Sequence, residues 1–336
     1  VTAYLVRRLL LLPLILWAVS FIVFMLNRSL PGDPVDAILG EKAPKAEKDR
    51  VRRERGFDRP ILVQYGIYLG KLVRGDLGES YKRANTRVAD EIRSNLPPTI
   101  ELTLAAMSVA IVLGLALGVL SAVYKGGWVD YLSMAVALAG TSIPIFWLGF
   151  LLILALGGIL PISGTHGPEH FLDPVTGFLL VDTLLRGNFP MFWDVVLHLA
   201  MPAMALSTIP LAMTARITRS SMLEVLGSDY VRTARAKGAT PWSVVMKHAF
   251  RNALIPIVTI VGLEFGYLLG GAVLTETVFA RQGMGTYIMR SIREVEWDSV
   301  GGAVLVLAFT FVLVNLAVDV AYAFIDPRVR YGPKEA

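Results

Sequence analysis

Residues 228–252 read SDYVRTARAKGATPWSVVMKHAFRN. The stretch is polar and basic, yet it lies between two apolar runs in a chain that is 54% hydrophobic. Ser228 fits a helix N-cap, and Gly238 fits the left-handed residue that ends a short helix. Thr240 and Pro241 then restart a second helix, with proline at its first position. A helix–turn–helix with this punctuation, close to a membrane, is a surface for another protein to hold.

Working outward, apolar runs long enough to cross about 30 Å of hydrocarbon occupy residues 9–26, 100–124, 132–156, 195–215, 254–275 and 300–325. Mean hydropathy is +0.58, which excludes a soluble globular protein. Arg7 and Arg8 precede the first run as they would in a secretory signal. The run is longer than a signal core and no small-x-small cleavage site follows, so it reads as an uncleaved anchor. The expected architecture is an all-α, six-span membrane protein.

Positive charge sets the orientation. With the N-terminus inside, the inner segments 1–8, 125–131, 217–251 and 326–336 carry 12 Lys or Arg. The outer loops 157–194 and 276–299 carry 1 and 3. The outer segment 27–99 holds 15, but it exceeds about 60 residues, and loops of that length cross largely regardless of charge. Both termini are therefore expected in the cytoplasm. The domain reading is an anchor span (1–27), an extracytoplasmic segment (28–98), a multi-span core (99–326) with the inner loop 217–252, and a tail (327–336). The outer segment has a turn signal at 30–34, a charged helix-prone run at 45–55, and an apolar edge at Tyr65, Tyr68 and Leu69.

Several chemistries are excluded. There is no cysteine, hence no disulfide, Cys-ligated zinc or thiol catalysis. No G-x-x-x-x-G-K-[ST] loop, serine nucleophile elbow or H-E-x-x-H occurs, so no catalytic residue is assigned. The scattered basic residues do not form a nucleic-acid face. His166 and His170 sit in a loop broken by Gly and Pro, which reads as solvated, and no metal site is assigned. His198 and His248 stand at span entrances, where a structural hydrogen bond is expected.

Acids at bilayer depth are costly and face protein or water. Glu264 lies two residues off a Gly262, Gly266, Gly270 stripe on which another helix can pack. It points either into a translocation path or to a structural partner. Gly114 and Gly118 form a second close-packing pair. The 140–144 run GTSIP predicts a kink in the third span, and places Ser142 and Pro144 with Glu264 as candidate path residues. Asp319 is expected to pair with Arg216 or Arg219, and Glu101, at the outer boundary, needs no special role.

The run Asp229-Tyr230-Val231-Arg232-Thr233-Ala234-Arg235-Ala236-Lys237-Gly238, followed by His248 and Arg251-Asn252-Ala253, resembles the EAA loop of type I ABC importer permeases, in its dipeptide/oligopeptide/nickel variant. Other matches run in order along the chain: Gly32-Asp33-Pro34, Gly75-Asp76-Leu77-Gly78, Pro144-Ile145-Phe146-Trp147, Glu276-Thr277-Val278-Phe279 with Gly283-Met284-Gly285, and Asp326-Pro327-Arg328. The resemblance implies a multi-pass subunit of a bacterial plasma membrane. It also implies a second homologous permease subunit, two ATP-binding subunits that carry ATP and Mg, and an extracytoplasmic solute-binding protein. No cofactor is implied in this chain. The coupling helix would engage an ATPase subunit through Asp229, Tyr230, Arg232, Thr233, Ala234, Arg235, Lys237 and Gly238. Glu276, Phe279, Gly283 and Gly285 would lie in a loop toward the binding protein or pore mouth. Arg232 departs from the general pattern, which has an acid there. The rival readings are an importer of nickel or another small solute and, in a different class, an ion-coupled secondary carrier. The carrier would need midplane ionisable clusters and discontinuous helices in matched repeats.

Overall fold

The computed structural model describes residues 2–29, 33–40, 42–80, 82–83 and 86–325, without the side chains of 2–9, 29, 34, 37, 269, 271, 319 and 321–325. The described residues are almost wholly helical, with one isolated bridge between Glu79 and Arg87. In chain order the helices are α1 (Thr2–Ser29), α2 (Pro34–Leu39), α3 (Lys45–Glu54), α4 (Ile61–Val73), α5 (Val88–Val123), α6 (Trp128–Ser142), α7 (Ile145–Leu156) and α8 (Leu179–Leu185). There follow α9 (Phe189–Leu226), α10 (Asp229–Ala236), α11 (Pro241–Ser243), a π-helical turn (Val244–Phe250), α12 (Arg251–Val278), α13 (Met284–Arg293) and α14 (Trp297–Ile325).

Five helices are long and apolar enough to cross a membrane, and the pair α6–α7 makes the sixth crossing if it is one span. The expected kink at 140–144 is a full break, with α6 and α7 meeting at 107°. Ile143 is extended at the break (φ −104°, ψ 127°), as a residue before proline must be, and Pro144 has no N–H to continue the ladder.

At the centre, α5 lies along α9. In lipid there is little hydrophobic drive between helices, so close approach at small residues carries the packing. Gly114 and Gly118 supply it: a Cβ at Gly118 would sit 2.7 Å from the Ala215 carbonyl. Leu102, Ala106, Met107 and Ala110 of α5 meet Met191, Val195, Leu199 and Leu206 of α9, and Leu268 and Ala272 of α12 close the cluster. Two members of the glycine stripe, Gly262 and Gly266, pack on Val318 and Phe311 of α14, whereas Gly270 faces open space. The span of α9 is 61% buried, against 17% in each of α1 and α14, so α9 is central and the terminal spans are peripheral.

Arg219 does not wait for Asp319. It donates through Nε and Nη2 to both oxygens of Asp130 at 2.8 Å, pinning α9 to the first turn of α6. Ser121 and the Gly126 N–H donate to the same carboxylate. The Asp319 side chain and the motif at 326–328 lie outside the described residues, as does Gly32.

The described residues of the expected outer segment form three helices, α2, α3 and α4, before α5. Asp33 caps α2 through the Val35 N–H (2.9 Å) and pairs with Arg52 of α3, while Lys48 reaches Asp36 at 2.6 Å. The helix α5 begins at Val88 and passes without interruption through residues 98 and 99, so this segment runs directly into the core.

Candidate functional site

The two ends of the bundle are built differently. At one end, α10 stands between α9 and the π turn. Its backbone matches the sequence reading at the stop: Gly238 has φ +80°, and the Ala239 N–H reaches the Ala234 carbonyl (3.1 Å) while the Gly238 N–H reaches Arg235 (3.0 Å). This paired bond pattern needs a left-handed residue, which glycine adopts without strain. Thr240 caps α11 through the Ser243 N–H (3.3 Å), with Pro241 at the first position. Ser228 holds the N-cap position, but its hydroxyl donates back to the Val225 carbonyl of α9 (2.6 Å) and caps nothing in α10.

One residue of α10, Val231, is fully buried and anchors the helix. Arg232, Thr233, Arg235, Lys237 and Gly238 are exposed, and Ala234 is half-buried. Asp229 and Arg232 form an exposed ion pair at 3.5 Å, so the basic residue at the departing position is held within the helix's own surface. The Tyr230 hydroxyl donates to the His248 carbonyl in the π turn (3.4 Å), and Asn252 Nδ2 donates to the same oxygen (2.7 Å). These bonds tie α10 to the start of α12. Trp242 was not among the sequence candidates, yet it is 74% exposed beside this basic surface. An aromatic residue straight after a Thr-Pro helix start is the signal that marks it.

At the opposite end, charges are buried. Glu276, in the last turn of α12, is wholly enclosed: its carboxylate accepts from the Thr99 hydroxyl of α5 (2.5 Å) and the Thr286 N–H of α13 (3.1 Å). Thr99 Oγ1 accepts in turn from the Met284 N–H (2.8 Å). A side chain at Gly283 would strike the Glu276 carboxylate, and one at Gly285 would strike both that carboxylate and the Val273 backbone. Phe279 is buried with Met201 and Ala205 of α9, against Gly149 of α7. The four loop residues picked from sequence therefore come together, and all face inward.

Sequence reasoning missed the partners of this loop. Arg281 is fully buried, with Nη2 3.7 Å from Glu101 Oε2 and, among the described residues, no hydrogen-bond partner for any guanidinium nitrogen. Glu101 is correspondingly not an idle boundary residue. It is buried, faces Arg281, and accepts from the Leu180 N–H at 2.8 Å. A second layer centres on Glu296, which accepts from the Ser80 hydroxyl, the Lys82 N–H (2.9 Å) and the Ser299 hydroxyl (3.1 Å), with Arg83 at 3.6 Å. Burial alone would raise the Glu296 carboxyl, but these donors and the Arg83 charge hold it below its ordinary value. Arg83 also pairs with Glu91, to which Arg290 adds a contact at 3.7 Å.

Two left-handed residues set this end. Ala280 (φ 43°) and Val295 (φ 62°) close α12 and α13, and each is followed by a buried charge, Arg281 and Glu296. The N–H of each of these two returns to its helix at 2.8 Å, to Glu276 and Ser291 respectively. A β-branched residue in this region is uncommon and strained.

Glu264 is buried on α12, on the side away from the glycine contacts with α14, and has no hydrogen-bond or ion-pair partner among the described residues. Ser142 is exposed at the α6 terminus, with its hydroxyl on the Leu138 carbonyl (3.2 Å), and Pro144 caps α7. Among the described residues no bond joins these three. Asp194 comes close to Glu169 and His170, with ligand atoms within 4.8 Å of one another. Its carboxylate already accepts from the Gly167 N–H (2.6 Å) and lies 3.2 Å from His198 Nδ1. As expected, His198 also has a structural bond, with Nδ1 2.8 Å from the Asp194 carbonyl.

Comparison with known proteins agrees with this construction. Residues 114–331 match the family model "Binding-protein-dependent transport system inner membrane component", and residues 1–103 match the N-terminal model of the same system. The dipeptide transport system permease protein DppB of Alkalihalophilus pseudofirmus is 46% identical, over 98% of this chain and 99% of its own length. The di/tripeptide transport system permease protein DppB of Pseudomonas aeruginosa is 44% identical over 98% and 99%. Among solved structures, an inward-facing form of the MetNI methionine ABC transporter matches with a TM-score of 0.52 and 18% identity, over 68% of this chain and 93% of that one; at this identity the likeness speaks for the fold. The all-helical bundle, the glycine-stopped helix beside α12 and these matches lead to one conclusion: the chain belongs to the inner-membrane permease family of binding-protein-dependent transport systems.

Proposed function

We propose that this chain is the membrane-spanning permease subunit of an ATP-driven importer whose cargo is di- or oligopeptides. The observation that carries the cargo class is full-length similarity, over more than nine-tenths of both chains, to relatives named for dipeptide and di/tripeptide transport. The loop end lies inside the cell together with both termini, and the buried-charge end lies outside. The other members of the complex are a second permease, two ATP-binding subunits that supply ATP and Mg, and an outer binding protein. This chain performs no hydrolysis.

The helix α10 is the coupling helix. Its exposed residues Asp229, Tyr230, Arg232, Thr233, Arg235, Lys237 and Gly238, with the half-buried Ala234, form the ATPase contact, and Trp242 extends it. Movement of α10 passes through the Tyr230–His248 bond and the π turn into α12, which carries Glu264 at bilayer depth and Glu276 at the outer end. Glu264, Ser142 and Pro144 are assigned to the translocation path, where the α6–α7 break gives exposed, non-helical backbone. Glu276, Phe279, Gly283 and Gly285 hold the outer loop's shape from within, which leaves binding-protein contacts to its exposed neighbours such as Gln282 and Arg290.

The test is ATP-driven uptake of a labelled dipeptide by the complete complex in vesicles. Gly238→Val places a β-branched residue in the left-handed position, at a cost of about 1–2 kcal/mol, and should leave ATP hydrolysis running while uptake is lost. Normal uptake by this variant would overturn the coupling assignment, and uptake of nickel in place of peptide would overturn the cargo class.

A further inference from the structure

The apolar helix α4 belongs to the segment read as extracytoplasmic, but its position conflicts with a site in water. It is 13 residues, about 20 Å long at 1.5 Å per residue, which is too short to span a bilayer. One face packs on α1. The Tyr65 hydroxyl bonds the Ser20 hydroxyl (2.9 Å) and the Trp17 carbonyl (3.3 Å), and Tyr65 and Tyr68 pack against Phe21 and Phe24. Trp17 stands eleven residues before Arg28, the end of the α1 span. That is about 16 Å below it along the helix axis, roughly half the hydrocarbon thickness. Tyr65 therefore reaches well into the bilayer.

The opposite face carries no polar side chain. Leu62, Val63, Gly66, Ile67, Gly70 and Val73 follow one another around it, all exposed, with Leu62 at 74% and Val73 at 82%. A helix apolar on both faces is stable only when enclosed by protein or lipid. Polar groups are confined to one flank, Gln64 and Lys71, and to the ends, where Arg59 and Arg74 bracket the helix as basic residues do at a membrane interface. The surface of α1 on which α4 rests is itself peripheral, exposing Leu10, Leu14, Ile22 and Leu26. The free face of α4 is thus continuous with a lipid-facing span.

We propose that α4 lies in the outer leaflet beside α1, a membrane-embedded helix that does not cross, with acyl chains covering its Leu62–Val73 face. It fixes the outer segment against the bilayer and gives the 42–80 region a second hold beyond α1.

The chain has no cysteine, so a single introduced one reports one position. The experiment uses the complete importer, with partner cysteines removed, in phosphatidylethanolamine–phosphatidylglycerol vesicles. A nitroxide at Leu62→Cys or Val63→Cys is probed by oxygen, which concentrates in lipid, and by a water-soluble nickel chelate. Leu14→Cys is the lipid reference and Glu54→Cys the water reference. The proposal expects the oxygen-to-chelate ratio of the Leu14 site. A ratio matching Glu54 overturns it, and so does exclusion of both reagents, which would place protein, such as the second permease, on this face. Val73→Cys, at the other end of the same apolar face, repeats the reading if a label at Leu62 or Val63 lowers the yield of folded complex.

Discussion

The loop end and the buried-charge end carry charge in opposite ways. Along α10, Arg232, Arg235 and Lys237 stand in water, with Val231 as the buried anchor. At the buried-charge end, Arg281, Glu276, Glu101 and Glu296 are enclosed, and the Glu276 and Glu101 carboxylates link α5, α8, α12 and α13 by accepting from the Thr99 hydroxyl and the Leu180 and Thr286 N–H groups. An exposed ion pair contributes little to stability, so among the described residues the α10 charges add little to the fold. A buried charge is tolerated only with compensation, so the enclosed charges are structural first. The same difference separates an interface from a rigid plate on which an interface can be built.

The comparison breaks most visibly at Arg281. Arg281→Ala leaves Glu101 and Glu276 buried without their cation, and removing one partner of such a set costs about 3–5 kcal/mol. A lowered thermal midpoint in detergent and poor assembly are expected, with partial recovery when Glu101→Gln is added to Arg281→Met. Arg232→Ala, by contrast, should leave the midpoint unchanged. Equal effects at the two positions would erase the distinction.

A smaller effect is expected at Trp242. If the loop end is a docking surface, Trp242→Ala should weaken binding of the ATPase subunit by about 2 kcal/mol, the scale of an aromatic interface anchor. The isolated chain should melt as before. A Trp242→Ala variant that destabilises the chain alone would make it a core residue, against its exposure.

The smallest effect concerns pH. The Glu296 carboxyl is held below its ordinary value by donors and by Arg83. Its contribution is complete above the unfolded value near 4.5 and disappears as pH falls through the folded value. Stability of the buried-charge end should decline on acidification below about pH 4.5, and Glu296→Gln should flatten that decline. Identical acid limbs for the two proteins would show that Glu296 is not coupled to folding.

These two ends also differed in how far the amino-acid sequence revealed them. The α10 turn was readable because its signals are local: Gly238, Thr240 and Pro241 act on bonds a few residues away. The break at Pro144 was readable for the same reason, though not its angle. Ser228 misled, because its hydroxyl serves α9 rather than the helix it precedes. The buried-charge plate was hidden because its bonds join distant residues. Thr99 to Glu276 is 177 positions apart, and Ser80 to Glu296 is 216. Arg281 therefore reads as a loop charge and Glu101 as an unrelated residue at a span boundary. The pairing of Arg219 with Asp130, 89 positions away, escaped for the same reason, and nothing local favoured it over Asp319.

The most direct test is hydrogen exchange of this chain with and without its ATP-binding subunits. The account predicts added protection in residues 229–242 when those subunits bind, while 276–296 exchanges slowly in both states. Unchanged exchange across 229–242 on binding, or protection of 276–296 that depends on the ATP-binding subunits, would contradict it.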